Sequence, residues 1–174
     1  EKYVAIHNII TKTVHKIIFV DEVLSIDEMY GRLPPKWQSP KIAMEKAEAI
    51  KTALKQTIGP YITASIGIAP NRFIAKLASK MKKPNGLMLI DHPQLPQALD
   101  SLDLNDITGI GARMLIRLNN HGIFDVANLC QADRGTLHRI WGSIEGDRFW
   151  YALRGIAPPE QSTNKRSFGH SHVL

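Results

Sequence analysis

The chain has 174 residues and a mass of 19.5 kDa, with 44% hydrophobic and 22% charged residues. This composition is typical of a globular protein with one domain or two small ones. Its single cysteine, Cys130, excludes an internal disulfide framework or a multi-cysteine zinc site and favours a reducing, intracellular setting. No apolar run approaches the ~20 residues that cross a bilayer, and the N-terminus does not resemble a signal peptide.

Positive charge is concentrated in the first half of the chain. The net charge is +6, but residues 1–90 carry 14 basic and 7 acidic side chains, whereas residues 91–160 carry 6 and 9. A concentration of positive charge favours a polyanionic partner, with nucleic acid as the first candidate and a membrane surface as the second.

The hydrophobic periodicity of the first 90 residues predicts alternating strands and helices, and therefore an α/β or α+β layer with helices on one face. The predicted elements are, in chain order, one or two strands over residues 16–26 that are buried on much of both faces, a helix over 41–58, a strand over 61–68, a helix over 71–82 and a short strand over 87–90.

The character of the sequence changes after Asp91. Strand-like runs end, and residues 91–160 are predicted to form a separate, small, all-helical unit. Its helical segments are predicted at about residues 94–101, 112–120, 125–130, 133–141 and 144–154. The polar stretch that follows Pro158 and Pro159 is predicted to be a linker.

Two adjacent carboxylates follow the first hydrophobic segment. Asp27 and Glu28 end the run SIDE, and Gly31 comes soon after. Adjacent residues of a regular strand face opposite ways, but a tight turn can bring both carboxylates to one side. Hard oxygen ligands of this kind suit Mg²⁺, whose remaining positions are filled by water and substrate phosphates. The alternative interpretation is that both acids are solvated turn residues.

The helix predicted from Asn71, its expected N-cap, carries a row of cations. Arg72, Lys76, Lys80 and Lys83 share one face if the helix extends that far, and residues 72–83 contain no acid. Like charges four residues apart destabilise a helix by roughly a few tenths of a kcal/mol per pair, a cost that a phosphate-bearing ligand would offset. The alternative is a solvated basic face.

Residues 107–111 (ITGIG) place two glycines between short helical segments. Gly109 and Gly111 can both adopt positive φ, so the backbone there can approach a ligand closely. The following helix, which carries Arg113, offers free N–H groups to a phosphate oxygen. This is the shape of a helix-hairpin-helix element that binds the DNA backbone without reading sequence. The alternative is an ordinary glycine-containing turn.

Taken in order, these segments resemble the Y-family translesion DNA polymerases. The resemblance covers roughly residues 20–174 and rests on SIDE at 25–28, ASIGIAPN at 64–71, KLAS at 76–79, KPNG at 83–86 and TGIG at 108–111. It implies that residues 1–90 are the later part of an α+β palm with its helices on one face of the sheet. Residues 91–160 would be the helical thumb, and residues 161–174 the linker and the truncated start of the little-finger domain.

The resemblance also implies a reaction. Asp27 and Glu28 match the paired palm acids that hold two catalytic Mg²⁺ ions, and Lys83 matches the lysine that contacts the dNTP triphosphate. The implied chemistry is two-metal nucleotidyl transfer to a primer 3′-OH. The residues expected to bind DNA or phosphate are Arg72, Lys76, Lys80, Gly109, Gly111 and Arg113. The implied partners are primer-template DNA, dNTP and a sliding clamp reached through the C-terminal region beyond this chain. No membrane partner is implied, and the implied location is the bacterial cytoplasm, in association with the nucleoid.

The chain also departs from the family pattern. The family places a further metal-binding aspartate upstream of the paired acids, with the fingers domain between them, yet only 26 residues precede Asp27. The segment after Glu28 (MYGRLPP) shortens a strand that is usually longer and indicates a divergent branch. We therefore expect an internal segment of a longer repair enzyme, and we expect this segment alone to be inactive.

Two other classes of function stay open on the sequence alone. The first is a non-catalytic DNA-binding or scaffold relative, although such a protein would have no chemical need for the paired acids. The second is a stand-alone helix-hairpin-helix module in residues 91–174, with residues 1–90 serving some other nucleotide chemistry. The net acidity of residues 91–160 argues against it, because DNA binding depends on positive charge.

Overall fold

A computed structural model describes residues 2–157, so the predicted linker and little-finger start at 161–174 lie outside the described residues. The helices are α1 (Lys2–His15), α2 (Pro40–Ile58), α3 (Arg72–Met81), α4 (Ala112–Asn120), α5 (Val126–Gln131), α6 (Arg134–Trp141) and α7 (Ile144–Leu153). The strands are β1 (Glu22–Val23), β2 (Met29–Tyr30), β3 (Ile66–Ile68) and β4 (Leu87–Leu89). Across the described part of the chain, every helix is too short or too polar to cross a membrane.

The four strands form two separate two-stranded ladders. Strands β1 and β2 are antiparallel, with Glu22 opposite Tyr30. Strands β3 and β4 are parallel, with Ile66 opposite Leu87, and helix α3 is the crossover between them. The predicted combination of helices with a small sheet is confirmed at this level.

The sequence prediction was wrong in the first 26 residues. Helix α1 was not predicted, and the strands predicted over residues 16–26 reduce to β1, whose two residues are exposed. The amides of Ile17 and Ile18 both donate to the carbonyl of Val14, at 2.9 and 3.0 Å. The apolar run therefore folds back against the end of α1 and does not extend along a ladder.

Helix α2 follows the prediction closely because its apolar residues recur on one face. Its buried side chains are Ala43, Ala47, Ile50 and Leu54. Pro40 occupies the first turn, where a missing N–H costs nothing. Gly59 ends the helix with φ at 128°, a conformation that favours glycine.

Helix α3 begins at the predicted cap. The side-chain oxygen of Asn71 accepts a 2.8 Å hydrogen bond from the amide of Ile74, which confirms the cap. The side-chain nitrogen of Asn71 donates to the carbonyl of Ala152 in α7, at 3.0 Å. One amide side chain therefore both starts α3 and ties it to α7.

Strand β3 lies unusually close to helix α3 at Gly67. A Cβ atom built on Gly67 would lie 1.9 Å from the carbonyl oxygen of Ala75 and 2.5 Å from the amide nitrogen of Ser79. Only a residue without a side chain fits there. This close approach sets the distance between α3 and the β3–β4 pair.

The second half is helical, as predicted. Helices α4 to α7 match the predicted segments within about two residues, whereas residues 94–101 contain only short 3-10 turns. The largest apolar cluster contains residues from both sides of residue 90. Ile74, Leu77 and Ile90 belong to the same cluster as Leu118 and Leu137, and all five are essentially inaccessible to solvent.

Candidate functional site

The paired acids lie at the tip of the β1–β2 hairpin. The amides of Leu24 and Ser25 both donate to the carbonyl of Glu28, at 2.8 and 3.1 Å, and close a tight turn around Asp27. The carbonyl of Ile26 in this turn lies 2.7 Å from Nδ1 of His7. The unpredicted helix α1 therefore contacts the turn that carries the acids.

Asp27 is exposed, and its carboxylate is held within the turn. The hydroxyl of Ser25 donates to Oδ1 of Asp27 at 2.7 Å. This hydrogen bond is the largest cause that lowers the pKa of Asp27; the positive charges of Lys83 and Lys76 also lower the pKa, and desolvation opposes the shift. Asp27 is therefore ionised well below neutral pH.

Replacing Ser25 with alanine should raise the pKa of Asp27 towards its ordinary value, because the hydrogen bond from Ser25 is the largest cause of the shift. With a lowered folded-state pKa, Asp27 stabilises the fold above its ordinary pKa, and the stabilisation disappears as the pH falls through the folded value. An NMR titration of the Asp27 side-chain carbon measures the change. Ser39→Ala is the matched control, since the Ser39 side chain makes no capping hydrogen bond. An unchanged pKa in Ser25→Ala would contradict the assignment.

Glu28 is paired with a lysine of helix α3. The Nζ atom of Lys76 lies 2.8 Å from each carboxylate oxygen of Glu28. Both side chains are only about one-third exposed, at 35% and 36%. The predicted cation row and the predicted acid pair are therefore in direct contact.

The other cations of α3 also have partners, which come from distant segments. Arg72 Nη1 lies 3.5 Å from Oε2 of Glu22, and its guanidinium lies over the ring of Tyr30 at 5.5 Å. Lys80 Nζ lies 3.2 Å from the carbonyl oxygen of Asp106. The sequence contains no acid within 72–83, but the fold supplies these contacts.

Lys83 does not lie on helix α3. The helix ends at Met81, and the amide of Lys83 donates to the carbonyl of Lys80 at 3.4 Å in the turn that follows. The expectation that four cations share one helical face therefore holds for three of them. Lys83 nevertheless lies close enough to Asp27 for its charge to lower the pKa of that carboxyl group.

The glycine-containing segment joins a 3-10 turn (Leu104–Asp106) to helix α4. Gly109 has φ at 96°, whereas Gly111 has φ at −94°, so only Gly109 uses the left-handed region. Gly111 is the N-cap of α4 and offers no capping side chain, so the first amides of α4 are left for another acceptor. Arg113 is exposed on the first turn of α4.

Helix α3 connects these two regions. Lys76 contacts Glu28 at the acid pair, and one turn later Lys80 contacts Asp106 and lies 3.5 Å from Oγ1 of Thr108, beside Gly109. The structure therefore brings Asp27, Glu28, Lys76 and Lys83 together. Lys80 lies one turn further along α3 and contacts the segment that precedes Gly109.

The acid pair suits part of a metal site. Across residues 2–157 there is no cluster of three or more His, Cys, Asp or Glu side chains placed to hold a metal ion. Asp27 and Glu28 supply two carboxylates at an accessible hairpin tip, and Asp27 is ionised. Their donor chemistry fits a hard divalent cation that completes its coordination with water and substrate oxygens.

Cys130 belongs to the core and not to a site. Burial raises the pKa of its thiol to about 11, so the thiolate that reacts with electrophiles is scarce at neutral pH.

Comparisons with known proteins identify similar sequences and folds. Residues 1–80 match the impB/mucB/samB (IMS) family. The chain is 36% identical over 157 residues to DNA polymerase IV 1 of Bacillus subtilis (strain 168), a match that covers 88% of this chain and 37% of that protein. It is 34% identical over 150 residues to DNA polymerase IV of Pseudomonas fluorescens (strain Pf0-1), covering 84% and 42%. The chain thus spans about two fifths of the length of these curated relatives.

Two solved structures give the same result for the fold. DinB from Sulfolobus solfataricus superposes with a TM-score of 0.73 at 29% identity, over 91% of this chain and 46% of that one. A ternary complex of Dbh superposes with a TM-score of 0.76 at 30% identity, over 90% and 47%.

Proposed function

The chain belongs to the Y family of translesion DNA polymerases, and we propose that it supplies the palm and thumb of a DNA-directed polymerase that copies past lesions during repair. In this proposal, residues 1–90 form the later part of the palm and residues 91–160 the helical thumb. The substrates are primer-template DNA and dNTP. The names of two relatives, both DNA polymerase IV, support this class of activity.

One observation carries the proposal: two lysines lie beside Asp27 and Glu28 at the hairpin tip. Lys76 contacts Glu28 directly, and the charges of Lys83 and Lys76 act on Asp27. Carboxylates that can hold cations beside side chains that can bind phosphates suit a reaction at a nucleoside triphosphate. A purely structural role or a scaffold role requires neither group.

The roles of the side chains follow from their chemistry. Asp27 and Glu28 would hold Mg²⁺, and two such ions, when bound, supply charge stabilisation for transfer of a nucleotide to a primer 3′-hydroxyl. The hydrogen bond from Ser25 orients the Asp27 carboxylate and keeps it deprotonated. Lys83 binds the triphosphate and stabilises the negative charge that develops on the leaving pyrophosphate.

The remaining predicted residues bind the phosphates of substrate and DNA. Arg72, Lys76 and Lys80 place three cations along α3, where they neutralise phosphate charge. Gly109 and Gly111 let the backbone approach the duplex, and the uncapped amides of α4 with Arg113 bind its phosphates. The contact is independent of sequence, as a polymerase requires. A sliding clamp would bind through sequence beyond this chain, and the enzyme would act in the cytoplasm at the nucleoid.

The proposal is tested by comparing this chain with its longer parent protein. We expect the purified chain not to extend a primer with Mg²⁺ and dNTPs, because Asp27 and Glu28 supply only part of a metal-ligand set within residues 2–157. We expect the parent protein to extend it under the same conditions, with extension measured on a labelled primer. Extension by the chain alone would refute the incomplete-site account, and a parent protein without extension activity would refute the proposed function.

A further inference from the structure

Lys76 contacts the carboxylate of Glu28, which the proposed function assigns as a ligand of a metal ion. Its ammonium lies 2.8 Å from both oxygens of Glu28, so it uses acceptor capacity on each oxygen and its positive charge repels a cation that approaches them. The pair spans 48 residues in sequence and joins the hairpin to the middle of α3. Asp27 differs, since its partner is the neutral hydroxyl of Ser25.

We propose that Lys76 is a positioning residue that competes with the divalent cation for Glu28, and that metal loading releases its ammonium towards the substrate phosphates. The inference rests on the proposed function, because it takes Glu28 as a metal ligand. Before loading, the ammonium offsets the negative charge of Glu28 and holds its carboxylate beside α3. After loading, the same ammonium is one turn from Lys80 and is available to an anion.

The contacts of α3 explain why Lys76 and not another cation has this role. Arg72 pairs with Glu22, which lies on β1 and outside the acid pair. Lys80 contacts a backbone carbonyl at Asp106. Among the described residues, Lys76 is the cation in direct contact with one of the two acids.

The size of the effect follows from the exposure of the pair. A partly exposed ion pair forms with an equilibrium constant of about 1.4 to 5. If a cation binds only when the ion pair is broken, its apparent dissociation constant equals the intrinsic constant divided by the fraction of molecules in which the pair is broken. Removing the ammonium should therefore tighten cation binding about two- to six-fold.

The experiment is a titration of the chain with Mn²⁺, in which free Mn²⁺ is followed by electron paramagnetic resonance. The variants are Lys76→Gln, which removes the competing charge, and Lys76→Arg, which keeps it. The double variant Asp27→Asn with Glu28→Gln defines binding elsewhere on the chain. We expect Lys76→Gln to bind about two- to six-fold more tightly than the wild type and Lys76→Arg to bind no more tightly.

Lys83→Gln is the matched control for loss of positive charge. The charge of Lys83 acts on Asp27 more strongly than that of Lys76 does, yet Lys83 makes no described contact with Glu28. If general electrostatics alone governed the affinity, Lys83→Gln would tighten binding at least as much as Lys76→Gln. We expect a smaller change in Lys83→Gln.

The outcomes separate this inference from the proposed function. Equal tightening in Lys76→Gln and Lys83→Gln overturns the competition, as does unchanged or weaker binding in Lys76→Gln. In either case, metal binding that depends on Asp27 and Glu28 leaves the proposed function standing. Mn²⁺ binding that is the same in the wild type and the double variant overturns the metal-binding role of both acids, and the competition with it.

Discussion

Replacing Asp27 with asparagine, or Glu28 with glutamine, in the longer parent protein is expected to lower the rate of primer extension by about 10²- to 10³-fold. Each change keeps the shape of the side chain and removes the charge that would hold a cation. Both acids lie at an exposed hairpin tip and contribute nothing to the apolar clusters, so the fold should survive the changes. Single-turnover primer extension measures the loss, and circular dichroism checks the fold.

The matched control for these variants is Glu48→Gln. Glu48 is an exposed acid on α2 with no described ion pair, and its loss changes the net charge by the same amount. We expect its extension rate to stay within about two-fold of the wild type, as for most surface substitutions. Extension at the wild-type rate by Asp27→Asn or Glu28→Gln would show that the hairpin acids are not part of the reaction centre.

The second large effect is expected on stability, at Gly67. A Cβ atom there would lie 1.9 Å from the backbone oxygen of Ala75, and helix backbone cannot move aside as the end of a flexible side chain can. Gly67→Ala should therefore push α3 away from β3 and lower the free energy of unfolding by about 3 kcal/mol, the upper end for overpacking. Urea denaturation followed by circular dichroism measures this loss.

Gly111→Ala provides the comparison. A Cβ atom on Gly111 meets no atom within 4 Å, and its φ of −94° suits any residue. Its free energy of unfolding should fall by no more than about 1 kcal/mol, because Gly111 is the N-cap of α4 and alanine is a poorer N-cap residue than glycine. If Gly67→Ala were as mild as Gly111→Ala, the close approach of β3 and α3 would not be a constraint in solution.

The sequence predicts a helix best where apolar residues recur at a helical spacing or where a capping residue marks its first turn. The apolar periodicity of α2, from Ala43 to Leu54, and the Asn71 cap of α3 act within a few residues, so a single sequence reveals them. The run over residues 16–26 is rich in β-branched residues and looked like a strand. It folds against α1 because tertiary packing overrides propensity.

The candidate site was predictable in its residues but not in its contacts. The run SIDE and the cation spacing are visible in the sequence, whereas the pairing of Glu28 with Lys76 joins segments 48 residues apart. The same holds for the contact between His7 and the hairpin turn, since nothing near His7 in the sequence indicates a partner. Such contacts depend on where the core places the elements.

The side chain of Asn71 has a mechanical consequence. Its oxygen fixes the first turn of α3, and its nitrogen binds the carbonyl of Ala152 in α7. The apolar cluster contains residues from both sides of residue 90. A bend at that point would therefore break the hydrogen bond to Ala152 and separate packed core side chains at the same time. The sequence changes from strand-like to helical near residue 90, but the fold has no hinge at that point. Helix α3 and the helical half should therefore move together as one body.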